Sequence, residues 1–142
     1  MIRFSKKLKY AMVVLFHFEQ ESSADPVNTH AFSEKYHLPE EYLGKVLQKM
    51  AKGKLLDSVQ GANGGYRPAR PVSELSFGEV ARVMEDIRRV PEDASPGLCE
   101  ASCEFSCGCT VERAFAQVEN ELYEHLHNLP LGSIMKQADI LV

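Results

Sequence analysis

The spacing of apolar residues predicts a helix near the start of the chain. Leu8, Ala11, Met12, Leu15 and Phe16 recur at intervals of three and four, so they share one face of a helix over residues 5–20. A face of this kind is expected to pack against the core of a globular domain.

Two further short helices are predicted after a polar segment. Thr29 is suited to cap a helix that ends near Tyr36, and Pro39 is suited to the first position of the next helix. On that next helix the apolar residues form one stripe, while the remaining surface is polar and largely basic; the stripe consists of Leu43, Val46, Leu47 and Met50. Two consecutive short helices of this kind are typical of a helix-turn-helix.

A hairpin is predicted directly after these helices. Residues 55–59 and 66–69 flank the loop 60–65, in which Asn63-Gly64 is expected to supply the positive φ angles of a tight turn. Ser76 and Glu79 have the spacing of a capping box, which predicts another helix to about Asp86. A hairpin after a helix-turn-helix makes a winged helix. The predicted fold is therefore mainly α, with a two-stranded wing.

Periodicity stops at residues 88–109, which are rich in Pro, Ser, Gly, acidic residues and Cys and are predicted to form a loop. It returns from Thr110 as a long helix with one apolar seam: Val111, Phe115, Val118, Leu122, Leu126 and Leu129. We predict that this seam packs against a second copy, because DNA-reading winged helices commonly pair to match two half-sites. The alternative is that the helix folds back on its own domain. The predicted organisation is a winged-helix DNA-binding domain at 1–87, a cysteine-rich loop at 88–109, and a dimerisation helix with a C-terminal tail at 110–142.

The charge distribution changes what the composition implies. Over all 142 residues the formal net charge is −4, which argues against a partner as acidic as DNA. Residues 1–70, however, carry 11 basic and 7 acidic side chains, whereas residues 71–142 carry 5 and 13. The first part is therefore net +4 and the second net −8, and such asymmetry favours a nucleic-acid contact by the first part alone.

The longest apolar stretch, residues 11–16, is too short to span a bilayer. Basic residues precede it as in a signal peptide, but acidic residues follow without a small-residue cleavage site. We therefore expect a cytoplasmic protein without a membrane partner. All four cysteines lie between residues 99 and 109. In a reducing compartment this clustering favours metal or redox chemistry over structural disulfides.

Several segments together resemble one family. They are FSKKLKYA at 4–11, PEEYL at 39–43, LLDSVQGANGGYRPARP at 55–71 and LSFGEV at 75–80. The third is similar to the wing motif of the IscR/NsrR-type (Rrf-type) bacterial regulators, which are winged-helix dimers that commonly hold an iron–sulfur cluster. The resemblance covers nearly the whole chain, and the cysteine loop falls where that family places its cluster.

The resemblance implies an iron–sulfur cluster held by the cysteine loop, either [2Fe–2S] or [4Fe–4S]. In the family three cysteines ligate, and five residues usually lie between the last two. Cys103 and Cys109 have this spacing, with Cys99 as the first ligand. Cys107 has no certain counterpart, and either Cys107 or Glu112 could complete the ligand set. A zinc site and a metal-free thiol switch remain alternatives, although the Cys107-x-Cys109 spacing suits zinc poorly.

The resemblance also assigns a DNA-reading surface. On the third helix, Lys45 is expected to donate to guanine and Gln48 to pair with adenine. Glu41 is expected either to accept from cytosine or to repel the DNA backbone and so sharpen the choice of sequence. Gln60 stands in the wing where the family usually has Arg, which weakens the electrostatic contribution there. The full predicted contact set is Lys6, Lys7, Tyr10, Glu41, Lys45, Gln48, Lys49, Gln60, Tyr66 and Arg67.

The sequence contains no phosphate loop, dinucleotide motif or catalytic triad, so an enzyme is not expected. The combined prediction is a bacterial homodimer that binds a pseudo-palindromic double-stranded DNA operator and senses redox, oxygen or iron–sulfur status through its cluster. The alternative is a zinc-binding or thiol-redox winged-helix regulator, or a protein-interaction module.

Overall fold

The computed structural model describes residues 3–21, 25–87 and 110–140. All four predicted cysteine ligands lie outside these residues, as does the side chain of Glu112. A 3₁₀ turn, Val72–Glu74, precedes the fourth helix. The helices and strands are α1 Lys6–Glu21, α2 Thr29–Tyr36, α3 Glu40–Lys52, β1 Leu56–Val59, β2 Gly65–Pro68, α4 Phe77–Glu85, α5 Thr110–His127 and α6 Leu131–Ile140. This is the predicted mainly α winged helix-turn-helix. No described helix is both long and apolar enough to cross a membrane.

One hydrophobic core joins α1, α3 and α4. The predicted stripe of α3 is confirmed, because Leu43, Val46, Leu47 and Met50 are all buried. A helix with apolar residues at this spacing lowers its free energy by removing that face from water, by about 2 kcal/mol for each large side chain. Burial of this stripe leaves the opposite, polar face of α3 at the surface.

The ends of α2 and α3 differ from the prediction by one residue. Asn28, not Thr29, caps α2, because its side-chain Oδ1 accepts a hydrogen bond of 2.8 Å from the backbone nitrogen of Ala31. Pro39 precedes α3 as its N-cap, whereas the prediction made it the first helical residue. Between the helices His37 adopts a left-handed conformation with φ of 53°, which ends α2 and redirects the chain into α3.

A buried histidine fixes α1 against α2. His17 is 6% exposed, and its Nδ1 lies 2.7 Å from the hydroxyl oxygen of Tyr36. Burial lowers the pKa of His17, with a further contribution from the positive charge of Lys35. The neutral ring therefore belongs to the packed interface between the two helices, which contributes to holding the helix-turn-helix in place.

The wing is an antiparallel pair in which Leu56 lies opposite Pro68 and Val59 opposite Gly65. The expectation that Asn63-Gly64 supplies the positive φ angles is wrong, because these angles occur at Gly61 (113°) and Gly65 (153°). The loop 60–65 is long enough to turn without a two-residue tight turn. Val27 and Tyr66 exchange two backbone hydrogen bonds of 2.9 Å, and a Cβ at Gly65 would come within 2.5 Å of the Val27 backbone. Glycine at 65 thus allows the wing to lie against the segment before α2.

The long helix predicted from Thr110 is present as α5, and the segment predicted as a tail contains a further helix, α6. Leu129 lies in the connection between the two helices instead of on the seam of α5. This connection runs beside the start of α4, where the Phe77 nitrogen donates to the Leu129 oxygen at 2.8 Å and the Leu131 nitrogen donates to the Leu75 oxygen at 2.9 Å. Leu131 is fully buried in the core that the first 87 residues build. Burial of Leu131, together with the packing of the partly buried Ile134 and Met135 on the same core, holds α6 against the winged helix.

Candidate nucleic-acid interface

The outer face of α3 carries the predicted base-reading residues. Glu41, Lys45 and Gln48 are all exposed, and the side chain of Lys45 is 70% exposed. Its Nζ lies 3.1 Å from the Glu41 Oε1, one helical turn earlier. A pair this exposed contributes little to stability. Lys45 can therefore exchange the carboxylate for an oxygen of another molecule at small cost.

Lys49 occupies a different environment from its neighbours on α3. Its Nζ donates a hydrogen bond of 3.1 Å to the carbonyl oxygen of Met84 and lies 3.9 Å from the Asp86 Oδ2. The carbonyls that end a helix attract a cation, so Lys49 joins α3 to the last turn of α4. Its predicted contact with DNA stays a prediction, but its ammonium group already has a structural partner within the chain.

The start of α1 lies beside this surface. Lys6 and Lys7 are exposed, and the half-buried Tyr10 packs its ring edge-on against Tyr42 of α3 at 5.3 Å between centroids. Tyr10, predicted as a DNA contact, thus supports α3. Tyr42 was not among the predicted site residues, although it lies in the PEEYL segment at 39–43 and three residues before Lys45.

The wing contributes a second exposed edge. Gln60 and Arg67 are exposed, whereas Tyr66 is half-buried and its backbone is paired with Val27. Arg70 is held by an ion pair with Glu79, whose carboxylate also caps the start of α4. Arg67 is therefore the more accessible cation of this edge.

A histidine contacts the first residue of α3. The Nδ1 of His30 lies 3.2 Å from the Oε2 of Glu40, and its Nε2 lies 3.4 Å from the Oε1 of Glu34. The hydrogen bond with Glu40 raises the pKa of His30, and the charge of Glu34 acts in the same direction.

Within residues 3–21, 25–87 and 110–140, no three His, Cys, Asp or Glu side chains are arranged to hold a metal ion.

The predicted dimerisation seam is open to solvent over most of its length. The exposed fractions are 60% for Val111, 63% for Phe115, 61% for Val118 and 41% for Leu122. Leu126, at the end of α5, is half-buried. The end of α5 packs on α4, as the fold-back alternative proposed, but four large apolar side chains remain uncovered within the chain. A contiguous apolar stripe of this kind is typical of a protein–protein interface.

Comparison with known proteins identifies the family. The sequence model of Rrf2, described as an iron-dependent transcriptional regulator, matches residues 4–137. The chain belongs to the Rrf2 family. A relative of this Rrf2 protein is the HTH-type transcriptional regulator NsrR of Oceanobacillus iheyensis, 27% identical over 137 residues, or 96% of this chain and 92% of the relative. Transcriptional regulators are not enzymes, which agrees with the absence of a predicted active site.

Two solved structures share the fold of this Rrf2 protein. The structure of T. potens IscR has a TM-score of 0.63 and 25% identity, and the similarity covers 96% of this chain and 88% of that chain. CymR of B. subtilis, described as its global cysteine regulator, has a TM-score of 0.65 and 20% identity over 94% of this chain and 98% of its own. The similarity extends over both the winged helix and the C-terminal helices.

Proposed function

We propose that this transcriptional regulator binds a pseudo-palindromic DNA operator as a homodimer in the bacterial cytoplasm, where the chromosome lies, and that α3 reads the bases. The observation that carries the proposal is the exposed face of α3, on which Glu41, Lys45 and Gln48 stand on a helix whose opposite face is buried. A helix held in this way presents its polar side chains in a fixed orientation, as entry into a major groove requires.

The individual residues have separate roles in this proposal. Lys45 donates to guanine and Gln48 pairs with adenine, while Glu41 accepts from cytosine. Lys6 and Lys7 at the start of α1 and Arg67 on the wing contact phosphates. Tyr10 and Tyr66 position α3 and the wing, since each is half-buried against a neighbouring element. Gln60 adds a neutral contact at the wing.

Replacement of both Lys45 and Gln48 by alanine is expected to abolish specific operator binding, because it removes two of the three proposed base contacts. Each bidentate contact contributes about 1–3 kcal/mol of discrimination, so specificity should fall by a factor of about 10² or more. DNA fragments selected by the wild-type chain from a random library serve as the operator in fluorescence anisotropy.

The matched control for this variant is Lys136→Ala with Gln137→Ala, which removes the same two side-chain types from exposed positions on α6. We expect the control to bind like the wild type, and both variants to retain the wild-type circular-dichroism spectrum. Unchanged binding by the α3 variant would contradict the assignment of α3 as the reading helix.

The proposed sensor is an iron–sulfur cluster bound by Cys99, Cys103 and Cys109, with Cys107 or Glu112 as the fourth ligand. Four thiols within eleven residues suit such a cluster, because cysteine thiolates are its usual ligands. The iron-dependent description of the family supports this choice. When bound, the cluster would supply a redox change and sensitivity to oxygen. The description of CymR as a global cysteine regulator supports a metal-free thiol sensor as the second candidate.

The last turn of α4 supports a connection between the cysteine region and DNA binding. The Glu85 Oε1 accepts a hydrogen bond of 2.6 Å from the Ser5 nitrogen at the start of α1, and the Met84 oxygen accepts one of 3.1 Å from Lys49 of α3. The predicted cysteine loop begins at residue 88, immediately after this turn. A displacement of this turn would therefore move α1 and α3 together. It would change the fraction of molecules whose DNA-facing helices fit the operator.

Purification without oxygen is expected to yield a coloured protein that contains iron and sulfide. Serine replacement of Cys99, Cys103 or Cys109 should each remove the iron and the visible absorbance, because each removes a ligand. Cys107→Ser is the matched control and should retain the iron if Cys107 is not a ligand; loss of iron would make Cys107 the fourth ligand. A colourless protein with stoichiometric zinc, or with no metal, would rule out the cluster and favour the thiol or zinc alternative.

A further inference from the structure

A cleft of about 150 Å³ lies where α1, α3 and α4 meet. Its lining combines three lysines with three residues that offer apolar surface: Lys7, Lys45, Lys49, Tyr42, Val46 and Met84. Among the residues that the structure describes, no acidic side chain lines the cleft, although Glu41 and Asp86 pair with two of its lysines. Three cations against these two carboxylates leave the cleft net positive, whereas its floor is apolar.

The lysines retain hydrogen-bonding capacity toward a ligand. Each ammonium group has three donors. Among the described residues, Lys45 is paired with Glu41, and Lys49 with the Met84 carbonyl and, at 3.9 Å, with Asp86. Lys7 makes no ion pair with any residue in the part of the chain that the structure describes. An anion in the cleft could therefore accept hydrogen bonds without displacing all of these partners.

The size and the floor of the cleft restrict the ligand. A volume of about 150 Å³ is that of a cavity that holds a benzene-sized molecule, which suits a ligand of a few heavy atoms. A bare phosphate would lose hydration against Val46 and Met84 without gaining a partner there. A carboxylate with a short aliphatic chain places its charge at the lysines and its chain against the floor.

We propose that this cleft binds a free short-chain aliphatic carboxylate. Lys45 then belongs both to this site and to the base-reading face of α3, so that the bound carboxylate and operator DNA exclude each other. This second statement rests on the proposed function, whereas binding of the carboxylate to the free chain does not.

Binding is tested with butyrate as the probe and the full chain labelled at its methionine methyl groups. The chain has five methionines, and Met84 is the one that lines the cleft. Butyrate is expected to shift the Met84 methyl resonance saturably, at a concentration at least about fivefold below that needed by inorganic phosphate at equal ionic strength. A Met84 shift that does not saturate, or equal responses to both anions, would overturn the proposal.

The lysine requirement has a matched control on α3. Lys7→Gln is expected to weaken butyrate binding about tenfold, the value of one charged hydrogen bond, and Lys7→Arg to restore most of it. Lys52→Gln removes the same charge from an exposed position outside the cleft and should change binding less than about twofold. Equal losses of butyrate affinity in Lys7→Gln and Lys52→Gln would show that only the net charge of the chain matters. That result would overturn the proposed site.

The DNA arm keeps the two proposals distinguishable. Saturating butyrate should weaken binding of the selected operator more than phosphate at equal ionic strength does. If butyrate binds the free chain but leaves operator affinity unchanged, mutual exclusion is wrong. If the chain selects no operator at all, the proposed function fails, while the methyl shift still decides whether the carboxylate site exists.

Discussion

Replacing Phe115 and Val118 with glutamate is expected to convert the proposed dimer into a monomer and to weaken operator binding by at least about 100-fold. The two side chains are more than 60% exposed and lie three residues apart, so both belong to the stripe that a second copy would cover. Glutamates there would be buried without partners in the dimer. A monomer engages only one half-site and loses the gain from joining two recognition helices. Sedimentation gives the mass, and anisotropy gives the affinity.

Gln117→Glu provides the control for added charge on α5. Gln117 is exposed and bonds to Glu121 on its own helix, with 3.1 Å between its Nε2 and the Glu121 Oε1. This variant should remain a dimer with nearly wild-type affinity for the operator. Wild-type mass in the double glutamate variant would show that the stripe on α5 is not the dimer interface.

Gly78→Ala is expected to reduce the free energy of unfolding by about 2–3 kcal/mol, because it overpacks a rigid contact. A Cβ at this position would lie 2.6 Å from the backbone nitrogen and Cα of His127, in the last turn of α5. Backbone atoms cannot rotate away as the end of a flexible side chain can. The helices α4 and α5 must therefore separate, which reduces the stability of the fold. Urea denaturation measures this loss as a lower midpoint concentration.

Gly44→Ala is the matched control, since it places the same methyl group in a helix that has room for it. The Cβ would meet the Cγ2 of Thr29 at 3.8 Å, which is an ordinary contact. This variant should be more stable than the wild type by about 0.5–1 kcal/mol, because glycine is unfavourable within a helix. Equal effects of the two substitutions would contradict the described contact between α4 and α5.

The helices α1 and α3 could be predicted because each carries the periodic apolar face that it buries. Leu43 and Met50 on α3 are in the core for the same reason that their spacing revealed the helix. Contacts between distant segments leave no such period. The packing of α6 depends on Leu131, a single buried residue next to a proline, and the positive φ angle of Gly65 depends on the approach of Val27.

The candidate nucleic-acid interface likewise has some features that the sequence predicts and others that it does not. The exposure of Lys45 and Gln48 follows from the position of the apolar stripe on their own helix. The bond from Lys49 to Met84, by contrast, depends on where α4 ends relative to α3. The packing of Tyr10 on Tyr42 likewise depends on the angle between two helices. Helix periodicity identifies a surface position but does not show which partner a long side chain reaches from it.

The buried side chain of Leu131 makes this protein poorly modular. A fragment that stops at Ile87 loses a fully buried core residue and the backbone hydrogen bond from Leu131 to Leu75. A C-terminal region exchanged between relatives would bring its own packing partner for the winged helix and would have to fit the host core. A working exchange would therefore require side chains that match the core around residue 131.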